Sequence, residues 1–112
     1  MKLNLLVIRS AVPAALAAWY TRFGLAFEYH RHGKGPMHYS AEVDGVTLEI
    51  YPLKRSQTEA DTTLRLGFTV EDLDGAIVGL PDIVQAPQRS EWGYRAVVAD
   101  PEGRRVELVE KG

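Results

Sequence analysis

A chain of 112 residues, 46% hydrophobic and 25% charged, holds enough apolar material for one globular domain, or for two small halves sharing a core. Its formal net charge of -2 gives no basic field to capture nucleic acid. With no cysteine it has no disulfide, no thiolate metal site and no cysteine nucleophile.

Residues 3–8 form an apolar run rich in branched side chains, the pattern of a strand buried on both faces. The run is too short for the core of a signal peptide, and no stretch reaches transmembrane length. A cytoplasmic protein with no membrane partner is therefore expected. Asn4 is the one polar member of the run, and a buried asparagine must be hydrogen-bonded or face a cavity. Pro13 suits a first helical turn, and Leu16, Trp19, Tyr20 and Phe23 then recur at i, i+3, i+4 and i+7. Gly24 is the natural stop. A strand is predicted over 25–32, with Phe27 and Tyr29 alternating against Glu28 and His30. Gly33-Lys34-Gly35-Pro36 is a turn, and a second strand follows over 37–43. Asp44-Gly45 has the chemistry of a tight hairpin turn. The strand it leads into, 46–51, carries Val46, Leu48 and Ile50 on one face and Thr47, Glu49 and Tyr51 on the other.

Residues 54–62 are polar and aperiodic, as in a linker. Beyond them a strand over 64–70 alternates Leu64, Leu66, Phe68 and Val70 with Arg65, Gly67 and Thr69. Asp72 is placed to cap a short helix with the apolar face Leu73, Ala76, Ile77 and Leu80. Gly75 and Gly79 weaken that helix by about 1 kcal/mol each against alanine, so packing must hold it. A short strand over 82–85, a loop from Pro87 to Trp92 and a strand over 93–99 are expected next. In Asp100-Pro101-Glu102-Gly103 the proline presets the first corner, the aspartate bonds back to the backbone and the glycine takes the position of positive φ. The closing strand puts Val106 and Leu108 on one face and Arg105, Glu107 and Val109 on the other.

Each half thus runs strand, helix, then three strands. Asp44-Gly45 with Glu49 in the first half echoes Gly103 with Glu107 in the second. Trp19-Tyr20 with Phe23-Gly24-Leu25, Leu48-Glu49-Ile50-Tyr51, the run from Gly67 to Asp72, and Asp100-Pro101-Glu102-Gly103 with Val106-Glu107-Leu108 span nearly the whole chain. In that order and spacing they resemble the vicinal oxygen chelate superfamily, which includes glyoxalase, bleomycin-resistance and dioxygenase proteins. The resemblance implies an α+β fold. Two tandem βαβββ modules, 1–53 and 64–112 joined by a linker at 54–63, would form one compact domain, a half-open curled barrel. Helices would cover Leu3, Leu5, Val7, Leu64, Leu66, Phe68, Val106 and Leu108. The ligand cup would be lined by Asn4, Glu49, Arg65, Thr69 and Glu107. It also implies a homodimer.

Enzymes of the superfamily commonly hold a divalent metal at four positions, histidine or glutamine on each module's first strand and glutamate on its last. Glu49 and Glu107 match the glutamates. The first-strand positions fall on Asn4 and Arg65. Asparagine is a poor partner for a transition metal, and arginine has no lone pair to offer. The expectation is a protein that binds a small molecule in the cup without the family metal. Asn4, Arg65, Thr69, Tyr51 and Trp92 would be the ligand-binding residues. Two alternatives stay open. One is a divalent-metal lyase, isomerase or dioxygenase using Glu49 and Glu107, with His38 as a replacement ligand beside Glu49. The other is a metal-free enzyme with Glu107 or Glu49 as general base, so the chain is not assigned as an enzyme or a non-enzyme. Arg65 between two carboxylates either completes a structural ion network or binds an anionic or carbonyl group. His30, His32 and His38 are expected as solvated hairpin residues lying close together, in preference to a metal cluster. Trp92 and Tyr51 would stack on a planar ligand or cover an edge of the core.

Overall fold

A computed structural model describes residues 1–112, which divide into two units, Met1–Asp61 and Thr62–Gly112. The first contains β1 (Leu5–Ser10), α1 (Pro13–Thr21), β2 (Glu28–His30), β3 (His38–Val43) and β4 (Val46–Pro52). The second contains β5 (Leu66–Val70), α2 (Leu73–Ile77), β6 (Ile83–Ser90), β7 (Gly93–Ala99) and β8 (Arg105–Glu110). Both sheets are open and four-stranded, in the orders β1-β4-β3-β2 and β5-β8-β7-β6. In each, the first strand lies parallel to the last and the other pairs are antiparallel. The same βαβββ module therefore occurs twice.

In the first unit α1 lies on one face of the sheet, with Leu16, Ala17 and Tyr20 buried against strands that contribute Ile8, Ala41, Leu48 and Ile50. Pro13 sits in the first helical turn, and Gly24, at φ 97°, follows the last. Asp44 and Gly45 both take positive φ, 46° and 84°, which joins β3 to β4 in a tight turn. The facing of β1 corrects the sequence expectation. Ile8 and Ser10 are buried, whereas Leu5 and Val7 are 48% and 39% exposed. Val7 registers with Glu49, so it shares the face of that carboxylate rather than the face under the helix. Strand β2 spans three residues instead of eight, because its ladder with β3 begins only at the His30–His38 pair.

In the second unit α2 buries Leu73 and Ile77 over β7 and β8. Asp72 caps it through Oδ1, which accepts from the Gly75 N–H at 3.2 Å, and Glu110 accepts from the Leu73 N–H, also at 3.2 Å. Five residues would not hold a helix alone; these bonds and the buried face do. Strand β6 continues to Ser90, through the stretch expected as a loop from Pro87. It is an edge strand, and register shifts around Gln85 and Gln88 accommodate the proline.

The turn before β8 is built as its sequence demands. Asp100 Oδ1 accepts from the N–H groups of Glu102 and Arg104 at 2.9 and 3.1 Å. Gly103 sits at φ 93° with nothing within 4 Å of the place a Cβ would take. A Gly103→Ala substitution therefore meets no clash, and its cost is the strain of an L side chain held at positive φ. It is expected to cost about 1–2 kcal/mol in urea unfolding. A neutral result would show that the turn relaxes to negative φ.

Candidate functional site

Two clusters of polar side chains stand out, one in each unit. In the second, Gly67 on β5 and Val97 on β7 flank Glu107 on β8, and alternation puts Arg65 and Arg95 diagonally across from the carboxylate. Arg65 approaches Glu107 Oε1 at 3.0 Å, and Arg95 donates to Oε2 at 2.6 Å. One carboxylate is thus shared by two guanidiniums, leaving an excess of one positive charge. The group lines a concavity of about 250 Å³ with Gln85, Gln88 and Trp92. An adjoining hollow of about 340 Å³ takes in Thr69 and Val109 and shares Trp92, Arg95 and Glu107. Trp92 is 69% exposed at the β6–β7 turn, so its ring is open to a visitor. Beside this, Tyr94 donates to Asp74 at 2.8 Å. That hydrogen bond, then desolvation, raises the phenol's pKa.

Sequence reasoning singled out Arg65, Thr69, Trp92 and Glu107, and all four line these hollows. It passed over Arg95, whose contact with Glu107 comes from the β7–β8 register. It also passed over Arg104, which no solvent reaches and which pairs with Asp100 and Glu102 at 3.2 and 2.9 Å.

In the first unit, Glu49 on β4 faces His38 on β3, with Nε2 to Oε2 at 3.3 Å. This is ion-pair range, but the two atoms are not aligned as a hydrogen bond. His38 is buried, and its Nδ1 lies 3.2 Å from the carbonyl oxygen of Pro36. His30 and His32 complete the group, their ring centroids 4.8 and 5.2 Å from that of His38. The hairpin histidines are close together, as expected. His38 is not solvated, however, because β2 and β4 enclose it and Tyr51 stacks on it at 4.1 Å with planes 8° apart. Tyr51 thereby uses one ring face on His38, and the Arg9 guanidinium sits over its ring at 4.7 Å. Asn4 precedes β1, and its carbonyl oxygen accepts from the Thr47 N–H at 2.8 Å. Its place in the alternation is with Leu6 and Ile8, not with Val7.

The metal implied by the superfamily does not fit its usual positions. In the second unit both oxygens of Glu107 face guanidiniums, and Arg65 has no lone pair to add. In the first unit the residue opposite Glu49 on the first strand is Val7.

No protein-family model matches the chain, and no curated protein sequence is significantly similar. Solved structures are similar over the whole length. Oxidase ChaP-H2 aligns with a TM-score of 0.75 at 19% identity, covering 100% of this chain and 94% of that one. TnmS3, an antibiotic binding protein from Streptomyces sp. CB03234, gives 0.72 at 17%, covering 100% and 97%. A glyoxalase/bleomycin resistance protein/dioxygenase family enzyme from Burkholderia phytofirmans PsJN gives 0.71 at 19%, covering 98% of each. Together with the repeated βαβββ modules, these likenesses show that the chain has the fold of the glyoxalase, bleomycin-resistance and dioxygenase proteins, the vicinal oxygen chelate superfamily.

Proposed function

We propose that the chain binds a small planar molecule bearing an anionic oxygen in the hollow of the second unit, with no metal at Glu107. The observation that carries this is the Arg65–Glu107–Arg95 group. Two guanidiniums on one carboxylate keep donors and a positive charge to spare for a ligand oxygen. Trp92 supplies an exposed aromatic face beside them, and Gln85 and Gln88 add amide groups at the rim. TnmS3, an antibiotic binding protein of the same fold, is an example of this fold in a binding role. A general base at Glu107 would have to act with a guanidinium already against each of its oxygens.

Aromatic carboxylates and neutral isosteres of the same shape, screened by thermal shift and by Trp92 fluorescence, test the proposal. A ligand present at a hundred times its Kd should stabilise the native chain by about 2.7 kcal/mol. The carboxylates are expected to raise the melting temperature and quench Trp92. Their neutral counterparts are expected to do so at least about tenfold more weakly, the loss of one charge-assisted hydrogen bond. Equal response to both sets, or to neither, would overturn the assignment.

A further inference from the structure

The geometry points to a divalent transition-metal site in the first unit, made by His30, His32, His38 and Glu49. The site shares no residue with the hollow of the second unit and takes only its carboxylate from the superfamily's usual ligand positions. Each of the four side chains has a donor atom within 4.8 Å of every other. In a tetrahedral zinc site with bonds of about 2.0–2.2 Å, neighbouring donors stand roughly 3.3–3.6 Å apart. His38 Nε2 and Glu49 Oε2, at 3.3 Å, already have that spacing. The other donors need only draw in by about an ångström, which rotation of the His30 and His32 side chains supplies.

The hydrogen bonding around the group points the same way. The Pro36 carbonyl oxygen can only accept, so His38 Nδ1 must carry a proton. In the neutral imidazole Nε2 then holds a lone pair, aimed at a carboxylate that is also an acceptor. This is the arrangement by which a carbonyl behind the ring fixes the tautomer of a metal-binding histidine. Nε2 of His30 and Nε2 of His38 are both shut off from water, and neither has a hydrogen-bond partner. A cation between them and Glu49 satisfies both. Tyr51, stacked on His38, holds its ring plane.

The donor set also selects the ion. Three imidazoles and one carboxylate suit zinc and its first-row neighbours, whereas magnesium and calcium require several oxygens. Four protein ligands leave no open position, so the ion's role is to tie the β2–β3 hairpin to β4. His32 is exposed and gives the ion a way in.

Calorimetric titration of the untagged, chelator-treated chain with zinc tests this. One ion per chain is expected, with no response to magnesium. His38 is buried, so its removal endangers the fold; His32→Ala and Glu49→Gln are the variants of choice. Each is expected to weaken zinc binding at least about tenfold, while circular dichroism and the metal-free melting temperature stay near those of the parent. Cobalt in place of zinc should give the strong visible absorption of a four-coordinate ion. The absence of saturable zinc binding, unchanged affinity in either variant, or the weak absorption of six-coordinate cobalt would overturn the assignment. None of these outcomes affects ligand binding at Arg65 and Arg95.

Discussion

Replacing Arg104 by methionine is expected to destabilise the chain by about 3–5 kcal/mol, the usual loss when one partner of a buried ion pair is removed. The guanidinium is fully enclosed, 3.2 Å from Asp100 Oδ2 and 2.9 Å from Glu102 Oε1, and the Asp100 side chain is enclosed with it. Methionine fills much of the volume but leaves two carboxylates, one with no access to water, without their cation. A protein of this size has about 5–15 kcal/mol in all, so the variant would stand near the edge of folding. Burial alone would lower the arginine's pKa, but the hydrogen bonds and charges of Glu102 and Asp100 outweigh it and raise the pKa above the ordinary value. A cation whose folded pKa is raised contributes fully below its unfolded pKa and loses that contribution only as pH rises through the folded one. The guanidinium itself therefore stays charged across the working range. Arg104→Lys keeps the charge but loses the planar fork, and should fall between parent and methionine variant. Urea unfolding measures all three. A methionine variant within 1 kcal/mol of the parent would mean that the backbone N–H groups on Asp100 suffice to hold this turn.

The turn also shows what could be read from the residues and what could not. Asp100 bonding to the backbone and Gly103 at positive φ follow from local chemistry, and both are present. The burial of Arg104 is a tertiary fact that an arginine after a turn does not announce. Both modules were legible because β4, β5 and β8 alternate cleanly. Strand β1 was not, because a run that is apolar throughout has no period of two, and its facing is set by register with β4. The proximity of His30 to His38 was readable from spacing across a turn. The burial of His38 and its approach to Glu49 needed the β3–β4 ladder, in which Ser40 lies opposite Glu49 and brings His38 beside it. Arg95 could have been found by the same rule: two strands joined by a short turn place Val97 opposite Glu107, and the residue two before it then reaches the carboxylate diagonally.

That diagonal contact gives the test that best separates binding from catalysis, because the two carry opposite signs. Glu107→Gln removes the negative charge between Arg65 and Arg95 and nearly preserves shape. If the hollow is a binding site for an anionic oxygen, the variant gains affinity. A unit charge about 5 Å away is worth roughly 3 kcal/mol at an effective dielectric of 20. The Arg65 side chain is 56% exposed and that of Glu107 36%, so solvent screens much of this. A tightening of about tenfold is the expected result. Arg95→Gln acts in the other direction. It removes the better enclosed of the two cations and leaves Glu107 with Arg65 alone, so an aromatic carboxylate should bind about ten- to a hundredfold more weakly. If Glu107 is a general base, its amide variant instead loses turnover and gains no affinity. Titrating both variants with the same carboxylate, at low and at high salt, gives two constants per variant. Opposite shifts that shrink with salt are the mark of an electrostatic binding site. Weakening in both would mean that Glu107 serves the site by holding the two guanidiniums in place, and that its charge does not oppose the ligand.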